Sequence, residues 1–137
     1  MTLTAIGNSS RPFQTGRAHG VNPLSGGRHS LTVDWLVDTG ADWSAVLPNL
    51  AMNFATTTPV PAVSAPPAGS AYRLAAGIEV EFTVWTKLGQ QTVCATTPVI
   101  AIKANNVGSN LIGVPELADR SAEVRWNART RTGELRR

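Results

Sequence analysis

Sulfur is nearly absent from this 137-residue chain, which carries one cysteine, Cys94. No internal disulfide can form, and a lone thiol fits a reducing, cytoplasmic setting. Histidine is scarce as well. His19 and His29 lie ten residues apart in loop-like sequence, far from Cys94, which is no metal-ligand pattern. There is no Gly-x-x-x-x-Gly-Lys-Ser/Thr, no Gly-x-Gly-x-x-Gly and no Gly-x-Ser-x-Gly. Phosphate-cradling loops and the nucleophile elbow therefore have no support, and neither metal nor cofactor is expected. Apolar runs stay far below the ~20 residues of a membrane helix. Residues 1–20 are polar and lack the apolar core of a secretory leader. Charged residues make up only 15 %, too few for a coiled coil or helical bundle.

What the chain does have is Val, Ala and turn residues. Leu, Ile, Val and Phe total 32, enough for the core of one domain, and 12 Gly with 9 Pro divide it into short segments. The net charge of +3 is uneven: Arg120, Arg125, Arg129, Arg131, Arg136 and Arg137 fall in the last eighteen positions. They read as the solvated face of a terminal strand and its frayed end, so nucleic acid is not the expected partner.

Residues 7–28 show no sustained periodicity and read as loop. Leu31, Val33, Trp35 and Val37 alternate with Thr32, Asp34, Leu36 and Asp38, the period of a strand. Ile78, Val80, Phe82 and Val84 alternate with Glu79, Glu81 and Thr83 in a second strand, followed by a turn at 87–90 and a returning strand over 92–102. Ser64-Ala65-Pro66-Pro67-Ala68-Gly69 excludes helix and central strand. Pro115 opens a short helix with Glu116 at its positive end. Ala122, Val124, Trp126 and Ala128 form a last alternating strand that Gly133 turns back. The sum is an all-β domain with one short C-terminal helix.

The chemistry centres on Asp38. A carboxylate ending the apolar run Trp35-Leu36-Val37 is costly to bury without a use. Thr39 adds a hydroxyl, and Gly40 lets a ligand approach the backbone. A plain Asx turn at a strand end accounts for the same residues.

Leu36-Val37-Asp38-Thr39-Gly40-Ala41-Asp42, followed by Val46, resembles the catalytic loop of the retropepsin-like aspartic proteases. These are the retroviral proteases and their free-standing cellular and bacterial relatives. Asn110-Leu111-Ile112-Gly113 resembles the two-hydrophobics-then-Gly element that threads beneath that loop in the family. The resemblance spans residues 31–130 and implies an acid protease barrel. A flexible segment 1–30 precedes it, a basic tail 131–137 follows, and a flap lies at about 60–76 around Pro66, Pro67, Ala68 and Gly69.

The family needs two facing aspartates, and this chain has one Asp-Thr-Gly. The resemblance therefore implies a homodimer that pairs two copies of Asp38 around a hydrolytic water. Thr39 and Gly40 would support that site. Ala41 and Asp42, with Leu36, Leu111, Ile112 and Gly113, would contact an extended peptide or protein substrate. Ala41 has no hydroxyl to offer the ionised aspartate, which implies activity reaching mildly acidic or near-neutral pH. Val114 stands where retroviral members carry an Arg that pairs with the residue at position 42, so that contribution to the dimer is missing. Two alternatives remain open. One is a catalytically weak or inactive domain of this fold that serves binding or dimerisation. The other is an unrelated β-barrel binding module with a basic tail.

Overall fold

The computed structural model describes residues 3–22, 24–41, 44–51, 53–54, 57–59, 71–74, 78–97, 100–102, 109–120 and 122–137. Asp42 and the flap residues Pro66, Pro67, Ala68 and Gly69 lie outside them. In chain order the elements are β1 (Leu3–Thr4), β2 (Phe13–Val21), β3 (Arg28–Val37), β4 (Ala45–Val46), the single turn α1 (Pro48–Ala51), β5 (Thr57–Pro59) and β6 (Ala71–Leu74). There follow β7 (Ile78–Thr86), β8 (Gly89–Thr97), β9 (Ile100–Ile102), β10 (Leu111–Ile112), α2 (Val114–Asp119), β11 (Glu123–Asn127) and β12 (Thr132–Arg136). Strands pair in the order β5-β6-β9-β4-β10-β3-β2-β1-β12-β7-β8, with β11 on β12. β7 also pairs with β2, so hydrogen bonding closes a circuit through β2, β1, β12 and β7. The domain is mostly strand, as its composition requires.

Alternation fixes the core. Ile78, Val80, Phe82 and Val84 of β7 are buried, as are Val33, Trp35 and Val37 of β3. They meet Leu3, Ile112, Leu117 and Leu135 in one cluster. Among the described residues no helix is long and apolar enough to cross a membrane.

Four expectations change. Residues 13–21 are not loop but the nine-residue strand β2, paired with β3 along its whole length and with β7 over residues 17–19. Its inward positions are Gln14, Gly16, Ala18 and Gly20, which are small or polar and give no hydrophobic signal. Smallness is the requirement here. A Cβ at Gly16 would collide with the Glu81 carbonyl oxygen, and one at Gly20 with the Phe54 ring. Gln14 is buried, and its side-chain amide mimics a strand: Nε2 donates to the Thr83 carbonyl at 3.0 Å and Oε1 accepts from the Thr83 N–H at 2.6 Å.

The C-terminal end is likewise not a tail but β12, with Leu135 fully buried. Arg125 pairs with Glu123 and Arg136 with Glu134, at 3.0 and 2.8 Å, so much of the cluster's charge is locally matched. Gly133 lies inside this strand, where a Cβ would collide with the Arg125 carbonyl oxygen. The turn before it is made by Asn127, whose Oδ1 accepts from the Arg129 and Thr130 N–H groups, and by Arg131 at φ 58°. Next, the strand returning from the 87–88 turn ends at Thr97. Ile100–Ile102 is a separate strand running parallel to β4. Finally, α1 adds a helical turn to the expected short helix α2.

Candidate active site

β10 lies between the two strands that flank the Asp38 loop. Leu111 and Ile112 pair in parallel with Leu36 and Val37 of β3, while Leu111 pairs antiparallel with Ala45 of β4. The chain entering the loop and the chain leaving it are thus both stitched to residues more than sixty positions away. Asn110 completes the stitching: its carbonyl accepts from the Leu36 N–H at 2.8 Å and its Oδ1 from the Leu47 N–H at 2.7 Å.

The loop itself is clamped onto the segment after β10. The Asp38 N–H donates to the Ile112 carbonyl at 3.0 Å, and the Val114 N–H donates to the Ala41 carbonyl at 2.9 Å. Ser44, which is buried, takes the Gly113 N–H on its Oγ at 2.9 Å and donates to the carboxyl of the equally buried Glu116. Ser44 and Glu116 have no counterpart among the sequence-derived candidates. Seventy-two residues separate them, and only the threading of β10 brings them together.

Asp38 sits at the end of β3 with its side chain about one-quarter exposed. Oδ1 accepts the Gly40 N–H at 2.9 Å, so the Asx turn is present. Oδ2 lies 3.5 Å from a guanidinium nitrogen of Arg11, a partner that no motif indicated. Arg11 comes from the segment joining β1 and β2. That segment is held by Trp126, whose indole donates to the Ser10 carbonyl at 3.1 Å, and by Arg131, which donates to the Gly7 and Ser9 carbonyls. Thr39 and Gly40 are exposed beside Asp38. Leu36 and Leu111 are packed under the loop with Phe13 and Ala45, against Ala41. They form its floor and leave almost no surface of their own for a peptide.

The Arg11–Asp38 pair is long and partly solvated, and such pairs contribute at most about 1 kcal/mol. Arg11→Ala is accordingly expected to change unfolding free energy by less than about 1 kcal/mol in a urea titration.

A second polar group occupies the outer face of β3, β2 and β7. Ser30 Oγ lies 2.5 Å from His19 Nδ1, and His19 Nε2 lies 3.3 Å from Glu81 Oε1. Next to them Arg28 donates to Glu79 at 2.8 Å. That hydrogen bond, with the charges of Arg28 and His19, holds the Glu79 carboxyl below the ordinary glutamate value against an opposing effect of burial. A lowered folded value contributes stability above the ordinary one and loses it as pH falls through the lowered one. The stability difference between wild type and Arg28→Ala, below about 1 kcal/mol at neutral pH, should therefore shrink on acidification from about pH 5 to 3. Urea titrations across that range check it. The Cys94 thiol, across from Glu81 on β8, is pushed up by burial and then by the Glu81 and Glu79 charges, so it is poorly nucleophilic at neutral pH. No group of three or more His, Cys, Asp or Glu among the described residues is arranged to hold a metal.

No protein-family model and no curated protein matches the chain.

Proposed function

We propose that the chain is a retropepsin-like aspartic endopeptidase that works as a homodimer, its barrel fold built around the Asp38 loop. The observation that carries this reading is the strand order β4-β10-β3, which threads Leu111–Ile112 between the two arms of an Asp-Thr-Gly loop. That order holds the short, exposed turn rigidly at a sheet end, where a second copy can face it. Two carboxylates brought that close cannot both ionise cheaply, so the pair retains one proton. The ionised partner accepts a proton from the water that attacks the peptide carbonyl. The protonated partner donates to the carbonyl oxygen, giving a gem-diol without a covalent intermediate. The titration belongs to the pair and not to either copy. The Gly40, Ala41 and Asp42 backbones bind the extended peptide. A cytoplasmic setting and activity reaching near-neutral pH, from the missing hydroxyl at Ala41, belong to the same reading.

Arg11 favours a second reading, in which Asp38 is a turn-former neutralised by a cation and the domain only binds or dimerises. The two readings separate in one experiment. Peptide-library cleavage is measured over a protein concentration series, with pepstatin present and absent, while sedimentation gives the dimer fraction. Cleavage that tracks the dimer and stops with pepstatin supports the peptidase. A folded dimer that cleaves nothing supports the binding domain and ends the first reading.

A further inference from the structure

The Ser30, His19 and Glu81 side chains come from three adjacent strands and, among the described residues, make no contact with Asp38, Thr39 or Gly40. His19 and Ser30 face each other across β2 and β3, and Glu81 reaches His19 from β7. A glutamate carboxylate only accepts hydrogen bonds, so in the neutral imidazole the contact at Nε2 favours the tautomer with its proton on that nitrogen. Nδ1 is then the bare nitrogen, and it is the one that faces the Ser30 hydroxyl. Nucleophile, base and orienting acid thus stand in series, with the serine exposed and the histidine largely buried.

Two neighbours give this series a place for a substrate. A concavity of about 300 Å³ opens beside it, lined by Arg17, Glu81 and the hydroxyl-bearing Thr15, Thr32, Thr83 and Thr92. Arg17 stands two residues from His19 on the same strand face, opposite Thr32. It enters no ion pair among the described residues, unlike Arg28, which Glu79 engages. A cation set among hydroxyl groups suits a small anionic group.

We propose that Ser30, His19 and Glu81 form a second nucleophilic site, independent of Asp38, that hydrolyses small esters carrying a carboxylate held by Arg17. Ser30 Oγ attacks the ester carbonyl as its proton passes to His19 Nδ1. The carbon–oxygen bond to the leaving alcohol breaks, and the alcohol departs with the proton from Nδ1, leaving acyl-Ser30. Water then attacks the acyl carbonyl, gives its proton to Nδ1, and releases the carboxylic acid as the proton returns to Ser30. Glu81 is a positioning residue. It keeps the ring's proton on Nε2 and balances the transient imidazolium.

The test uses a fluorophosphonate probe, selective for activated serines, with mass spectrometry to locate the label. p-Nitrophenyl acetate and mono-p-nitrophenyl succinate serve as neutral and anionic esters. Stoichiometric labelling at Ser30 is expected, absent in Ser30→Ala and slowed about 100-fold in His19→Gln. Glu81→Gln should slow it about tenfold and move its pH profile, with partial rescue in Glu81→Asp. Arg17→Gln should erase the preference for the succinate ester over the acetate. Unchanged circular dichroism shows that the variants are folded, as the exposure of Ser30 and Arg17 leads one to expect. A folded wild type that takes no label, labels elsewhere, or labels at full rate in His19→Gln overturns the proposal.

Discussion

Asp38→Asn should lower peptide cleavage by about 1000-fold or more while leaving the fold intact. The structural part of that outcome follows from the turn. Asn retains an Oδ1 that accepts the Gly40 N–H, which Asp38 now takes at 2.9 Å, so the loop keeps its shape. The chemical part follows from the proposed pair. An amide cannot take a proton from water at accessible pH, and two amides have no shared proton to donate, so both acid and base roles vanish together. Mixing experiments sharpen the result. If each copy supplies half a site, an equal mixture of wild type and variant leaves roughly one quarter of the dimers with two aspartates. Activity then falls well below the half that a self-sufficient chain retains. Cleavage that survives in Asp38→Asn, or a mixture that keeps half the wild-type rate, removes the dyad from the account.

How much of this was legible beforehand differs by element. β7 and β3 announce themselves, because their inward residues are large and apolar and their outward ones polar. The threading of β10 is foreshadowed only through the resemblance of Asn110–Gly113 to a known element; nothing in the local pattern of Leu111–Ile112 says between which strands it falls. β2 is invisible for a physical reason. Its inward side must be thin where it crosses β7, so it carries Gly16, Ala18 and Gly20 where alternation arguments look for Val or Ile. Missing β2 also hid the Ser30–His19–Glu81 group, since His19 meets Ser30 only once β2 and β3 pair. Arg11 was hidden in the same way, as an ordinary arginine in a Ser- and Pro-containing stretch. Leu135 falls in the stretch expected to be a basic tail, yet Arg136 turns to Glu134 and leaves Leu135 in the core.

Val114, directly after Gly113, is exposed, and the loop is tied down internally through Ser44 and Glu116. Ser44→Ala removes both bonds at once. It strands the Gly113 N–H and the Glu116 carboxyl in an interior that water barely reaches, and each unpaired buried group costs about 1–3 kcal/mol. A loss of about 2–4 kcal/mol in unfolding free energy is expected, a large share of the stability of a domain this size. Ser44→Thr, which keeps the hydroxyl, should cost less. The cycle with Glu116 is the decisive part. Replacing Glu116 by Leu in the Ser44→Ala background removes the stranded carboxyl, so the double variant should be more stable than the sum of the single losses by about 1–3 kcal/mol. Chemical denaturation of the four proteins measures this directly. Strict additivity would mean that the Ser44–Glu116 contact carries no coupling and adds nothing to the hold on the Asp38 loop.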